Sequence, residues 1–327
     1  MSGLPLAAFA AETGGHVLAA RRDPRYPRFR DRFDEQAYRS RLAETGVRWL
    51  DAADPEFPSA LRAIFDPPVG LFLRGDGPAA LLERAAVALV GARACSGYGA
   101  HVARTFGREL AAAGLTIVSG MARGVDGEAH RGALDAGGTT VAVLGCGVDR
   151  DYPAAHAELA RRIRATGLVV SEYAPGVEPA PWRFPARNRI VAGLAQATVV
   201  VEAREKSGAL ITADLALEEG REVFAVPGEI TSSLAAGTNA LLRLGATAAT
   251  SADDVLEAYG LAPRPSEPPA LSPAAGKVLA QIRDGPASAD ELARGLGLGA
   301  DVVAATLAEL DLLGLLTETA GMYRGPR

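Results

Sequence analysis

Between residues 87 and 226 short apolar runs alternate with segments of helix length, and this alternation constrains the fold more than any other feature. The runs lie at 87–90, 116–118, 140–144, 168–170, 198–201 and 222–226. They lack the polar-apolar alternation of a strand with one wet face. Such strands are buried on both sides, as in a parallel sheet covered by helices on both faces. Helices are predicted over 98–113, 127–136, 154–165, 210–219, 239–244 and 252–259, with Gly114, Gly137 and Gly220 ending three of them. A further strand is expected at 69–73, after a short helix that begins at 57. The fold class is therefore α/β, with at least six strands.

Glycine or polar residues follow nearly every strand. In an open parallel sheet the carboxyl ends of the strands face one crevice, where ligands bind. Arg93, Ser119, Gly145, Glu172, Arg187 and Glu202 should converge there. The stretch 184–194 adds Arg187, Asn188 and Arg189 directly after Trp182, Arg183, Phe184 and Pro185, and just before an apolar strand. Guanidinium forks beside an aromatic ring suit a polyanion. In this reading the stretch is a proline-fixed approach to the strand, with Arg187 meeting phosphate and Phe184 meeting a base. Arg189 and Asn188 can instead brace the loop from inside.

Bulk properties limit the partners. The 327 residues carry a net charge of −5, so nucleic-acid binding has to come from a local patch rather than a basic coat. Lys206 and Lys277 are the two lysines; arginine supplies the rest of the positive charge. Cys95 and Cys146 form no CxxC pair, which predicts reduced thiols and no metal cluster. No charged start followed by an apolar core, and no run of about 18 apolar residues, points to a signal or membrane span. A soluble, cytoplasmic protein without membrane contact is expected.

Residues 1–56 are expected to form a short N-terminal region. Arg21, Arg22, Arg25, Arg28, Arg30 and Arg32, interleaved with Pro24 and Pro27, read as a solvated linker in preference to a DNA-binding arm. A short helix is expected at 36–45. Residues 57–260 form the sheet domain. Residues 261–272, with Pro263, Pro265, Pro268 and Pro269, form a semi-rigid linker. Residues 273–327 give helices near 274–283, 289–295 and 300–313 and a β-wing at 315–323, the winged-helix arrangement. The helix in the recognition position carries Asp301, Glu309 and Asp311 and no Arg or Lys. Phosphates repel such a surface, so a protein-interaction or regulatory role is expected; Val302, Val303, Leu307, Leu310 and Leu313 should be its core stripe.

Each turn has a plain reading beside a functional one. Gly91-Ala92-Arg93 with Gly97-Tyr98-Gly99 can hold a phosphate on backbone N–H groups or simply turn tightly, and it is not GxGxxG. Ser207 can cap the helix after it or belong to a second phosphate cradle. Asp126 and His130 stand at i,i+4, and with Ser119 they imitate a triad. No G-x-S-x-G elbow accompanies them, and capping or internal hydrogen bonding is preferred.

Taken together, Ser119–Asp126, His130–Leu134, Gly145–Asp149, Tyr152-Pro153, Ser171–Tyr173, Phe184–Ile190 with Ala192–Leu194, Ser207–Thr212 and Val226–Gly228 resemble the DNA-processing protein A family (DprA, also called Smf). The resemblance spans about residues 57–260. It implies an extended Rossmann fold that binds single-stranded DNA without catalysis or cofactor, forms a homodimer, and loads the RecA recombinase in natural transformation and recombination. It carries the DNA pocket to Arg93 in the Gly91 turn and to Arg183, Phe184 and Arg187. Arg189, Ser119, Gly145, Lys206 and Ser207 join the candidate set from their positions. Two other readings use the same sheet edge. One is a nucleotide-processing enzyme with Glu172, Glu202 or Asp126 as acid or nucleophile, although a PGGxGTxxE-type motif is missing. The other is a sensor of a nucleotide-derived ligand.

Overall fold

The computed structural model describes residues 2–15, 17–261, 271–313, 315–319 and 321–325. The chain divides into two compact units, 1–264 and 265–327. The proline-rich stretch expected as a linker lies mostly at 262–270, outside the described residues.

Nine strands form one sheet in the larger unit. In chain order they are β1 (Val47–Asp51), β2 (Gly70–Arg74), β3 (Ala86–Val90), β4 (Thr116–Ser119), β5 (Thr140–Val143), β6 (Leu168–Ser171), β7 (Ala197–Val200), β8 (Glu222–Ala225) and β9 (Thr247–Ala248). Their order across the sheet is β1-β2-β6-β5-β4-β3-β7-β8-β9. From β6 to β9 every pairing is parallel. β2 joins β6 antiparallel, and β1 joins β2 antiparallel. The expected α/β class is found, and β1 is an addition: it lies inside the N-terminal stretch that sequence patterning separated from the sheet.

All five residues of β3 are buried. Ala86, Ala88 and Val90 face one core and Val87 and Leu89 the other. This two-sided burial is why the strands read as continuous apolar runs.

Among the described residues four helices precede β1: α1 (Leu4–Glu12), α2 (Val17–Arg22), α3 (Tyr26–Arg32) and α4 (Glu35–Glu44). The arginine- and proline-rich run thus folds as two helices, not as a solvated linker. Pro27 sits in the first turn of α3, where a missing N–H costs nothing. Tyr26, Phe29 and Phe33 recur at helical spacing. The rings of Tyr26 and Phe29 pack 5.6 and 5.0 Å from Phe9, closing a small apolar cluster.

After β1 come α5 (Ser59–Arg62), α6 (Gly97–Ala112), α7 (Val125–Asp135), α8 (Ala157–Thr166), α9 (Arg183–Leu194), α10 (Gly208–Glu218), α11 (Ala236–Arg243) and α12 (Ala252–Ala258). Helix α9 occupies the stretch expected as a proline-fixed loop approaching the strand. Pro185 in its first turn is compatible with a helix start.

The smaller unit holds α13 (Pro273–Asp284), α14 (Ala289–Leu296) and α15 (Ala300–Leu312), with β10 (Ala287–Ser288), β11 (Thr317–Thr319) and β12 (Met322–Arg324) in a three-stranded antiparallel sheet. Val303, Leu307 and Leu310 of α15 are buried against α13 and α14, whereas Val302, expected in that stripe, is 40% exposed. No described helix is long and apolar enough to cross a membrane.

Candidate nucleic-acid interface

The parallel order reverses between β3 and β7, which lie side by side yet run on in opposite directions across the sheet. Such a switch point opens a crevice at the strand ends. A cleft of about 530 Å³ lies there, lined by Gly91 and Arg93 after β3, Asp126, Phe184 and Arg187, and Ser207 before α10.

The turn after β3 is pinned to β7. Ala92 N donates to Glu202 O at 2.7 Å. The buried Glu202 carboxylate accepts from Ser96 N at 2.8 Å and Ser96 Oγ at 2.6 Å. Gly91 meets a packing demand, because a Cβ there would stand 2.6 Å from Val125 Cγ2. Arg93 is exposed and makes no ion pair with the described residues. Its guanidinium lies 5.1 Å from the Phe184 ring centroid, within cation-π range.

Phe184 is half-buried. Tyr152 stacks on it at 5.5 Å with 20° between the planes. Gly145 seats the ring: a Cβ at that position would lie 3.0 Å from Phe184 Cδ1. Arg93 and Tyr152 therefore both lie against the Phe184 ring on the cleft wall.

The helical period of α9 turns two arginines inward. Arg183, Arg187, Ile190, Val191 and Leu194 are all buried. Arg187 Nη1 donates to Gly120 O at 2.7 Å and also to Val143 O, and Nε donates to Asn188 Oδ1 at 3.2 Å. Burial lowers the Arg187 pKa, with the Asp126 charge working against that shift. Burial likewise raises Asp126, countered by Arg187 and by backbone N–H donors. Arg183 donates to Gly14 O at 2.7 Å and to Glu178 O, with its guanidinium 4.9 Å from the Trp182 ring and 5.3 Å from that of Tyr173. Arg189 makes a bidentate pair with Glu172 at 2.8 and 2.7 Å and also meets Asp66 at 3.0 Å. Burial opposes its charge, but Glu172 and Asp66 outweigh burial and raise its pKa.

The predicted set therefore separates. Gly91, Arg93, Phe184, Arg187 and Ser207 line the cleft, and Gly145 lines an adjoining recess. Ser119 does not reach it: the side chain is fully buried and Oγ donates to Leu89 O at 2.6 Å. Arg183 and Arg189 are engaged elsewhere, as described above. Lys206 is exposed but outside the cleft lining, and Ser207 caps α10 through Ala209 N at 3.3 Å. The imitation triad is not assembled. His130 Nδ1 pairs with Thr140 Oγ1 at 2.6 Å, and the Asp126 carboxylate accepts from Ala122 N at 3.2 Å. Tyr152 and Arg123 were missed as site residues. The aromatic next to Pro153 was a signal for the first, and the exposed Arg123 in the turn after β4 lines the adjoining recess. Among the described residues no cluster of three or more His, Cys, Asp or Glu could hold a metal.

Residues 48–260 match the family of DNA recombination-mediator protein A, and residues 262–322 match the DprA winged helix domain. The chain is 45% identical over 303 residues to a putative DNA processing protein DprA of Mycobacterium tuberculosis, covering 86% of this chain and 78% of that one. It is 39% identical over 300 residues to protein Smf of Escherichia coli, covering 86% and 80%. The solved structure of DNA processing protein A from Streptococcus pneumoniae superposes with a TM-score of 0.65 at 38% identity, over 78% of this chain and 91% of that one. DNA processing protein A from Helicobacter pylori, solved for its single-stranded DNA binding mode, superposes at 0.57 and 33% identity, over 62% and 92%. The chain belongs to the DNA recombination-mediator protein A (DprA) family.

Proposed function

We propose that the switch-point cleft binds single-stranded DNA and that the protein, acting as a homodimer in the cytoplasm, passes the strand to the RecA recombinase without catalysing a reaction on it. The placement of unpaired Arg93 and of Tyr152 against the Phe184 ring carries this reading. A cation for phosphate beside rings for bases is the chemistry of sequence-tolerant single-strand binding. Arg93 takes phosphate, Phe184 meets a base, and Tyr152 extends the platform. Arg187, expected to meet phosphate, is buried on the carbonyl oxygens of Gly120 and Val143 instead and holds the cleft floor from inside. Of the three carboxylates suited to acid or nucleophile roles, Glu172 is committed to Arg189, Glu202 to Ser96, and Asp126 to the backbone. That commitment supports binding over catalysis.

The cleft volume also falls in the range of small-ligand pockets, which favours a nucleotide sensor as the second reading. A mobility shift with oligodeoxythymidine at two salt concentrations, with and without RecA, separates the two. Salt-dependent binding that Arg93→Ala weakens supports the proposal. A thermal shift with mononucleotide and none with oligonucleotide overturns it in favour of the sensor.

A further inference from the structure

The arginines of α3 and α4, with Arg25 at the α3 cap, fall into two groups. Arg25, Arg30 and Arg39 are paired with Asp23, Asp31 and Glu35 at 2.6, 2.9 and 2.8 Å. Arg28, Arg32 and Arg41 make no ion pair with any described residue. These three are exposed and line one groove of about 600 Å³ between α1, α3 and α4, closed at one side by Pro175. Half-buried Phe29, Phe33 and Tyr38 also line it. Their rings run in a ladder at 5.4 and 5.3 Å, and the Arg41 guanidinium lies 5.4 Å from the Tyr38 ring centroid. Glu12 and Asp34 are the acids on the rim, and Asp34 is spent capping α4 through Ala37 N at 2.9 Å.

Three guanidiniums against two rim carboxylates leave the groove with a net positive charge and no ion pair to any of the three. The aromatic floor gives bases a π surface, and the guanidiniums give phosphates their counter-charge. Pro175 belongs to the segment that leads into α9. At 3.3–3.6 Å per residue the nine steps to Phe184 span at most about 32 Å, so groove and cleft lie within reach of one strand. We propose that this groove is a second single-stranded nucleic-acid subsite, which takes the strand as it leaves the switch-point cleft. The proposal rests on the cleft reading above.

The test compares a short oligodeoxythymidine of about 6 nucleotides with one of about 20, on the full chain and on Arg28→Ala/Arg32→Ala/Arg41→Ala. The longer strand should bind at least about tenfold tighter to the native chain, and the triple variant should lose that gain. Its slope of log affinity against log salt should fall by about 2, at roughly 0.7 for each phosphate no longer neutralised. Binding of the short strand should not change. Photocrosslinking with a halogenated-uracil strand should mark Tyr38 or Phe33, a readout that does not depend on the variant's folding. Unchanged long-strand affinity and slope in the triple variant would overturn the groove and leave the cleft standing. Equal competition by polyglutamate of matched charge would also overturn it, as a general anion surface. Failure of the native chain to bind either strand would overturn groove and cleft together.

Discussion

The switch-point cleft and the winged-helix unit are both scaffolds on which nucleic acid can be bound, and they carry opposite chemistry. The cleft presents the exposed, unpaired Arg93 over the Phe184 ring, on which Tyr152 stacks. Helix α15, in the position that reads a groove in winged-helix proteins, presents exposed Asp301 and Asp311, and its Glu309 accepts from Ser272 Oγ at 2.7 Å. Its apolar side is spent on the unit's own core. A fold supplies a place for a site, and the side chains at that place decide what binds.

The sharpest way to break the contrast is to empty the cleft. Arg93→Ala with Phe184→Ala should remove about 3 kcal/mol of single-strand affinity, a hundredfold or more in Kd by fluorescence anisotropy, since one stacked base is worth about 1–3 kcal/mol. A smaller loss would move the site elsewhere. Next in size, Glu172→Gln should cost about 3 kcal/mol of unfolding free energy in chemical denaturation. It leaves Arg189 buried with only the half-exposed Asp66 as counter-charge. The transition of the winged-helix unit should not move.

Acid should separate the units again. His130 is fully buried, and burial, aided by His156 and nearby arginines, holds its pKa down at about 3. The unfolded chain takes up that proton near pH 6.5 while the folded chain does not, so stability falls as pH drops through 6.5 toward 3. Between pH 7 and pH 5 the loss from this group is about 2 kcal/mol. All four histidines precede residue 157, so this route weakens the sheet unit alone. Denaturant midpoints at the two pH values check it, and His130→Leu should flatten the dependence. The smallest effect belongs to α15. Asp301→Asn with Asp311→Asn should leave single-strand Kd within about twofold, because exposed charges outside the site are screened. A large gain in affinity would show that the winged-helix unit touches the strand.

The sheet was legible because β3 to β8 are buried on both faces and therefore read as unbroken apolar runs. β1 was not. Arg48, its second residue, is exposed, and its pairing is to β2, a partner that only the folded chain reveals. Helix α4 was expected at 36–45, but α3 was hidden by composition: arginines and prolines masked the 3-4 spacing of Tyr26, Phe29 and Phe33. In the site, strand ends and glycines located the crevice, and the resemblance picked out Arg93 and Phe184. The fate of the other arginines was not legible, because it depends on the phase of α9. Residues 183 and 187 fall on its buried stripe while 189 meets Glu172, and sequence spacing shows the stripe only once the segment is known to be helical.

The contact of Arg187 with Gly120 O and Val143 O bears on how an anion can approach at all. Gly120 O, just after β4, and Val143 O, at the end of β5, put partial negative charge at the carboxyl edge of the sheet. One guanidinium drawn up from α9 caps both oxygens and masks them. A phosphate brought to Arg93, as proposed, would find those two oxygens already engaged, so the arginine that points away from solvent shapes the potential around the exposed one.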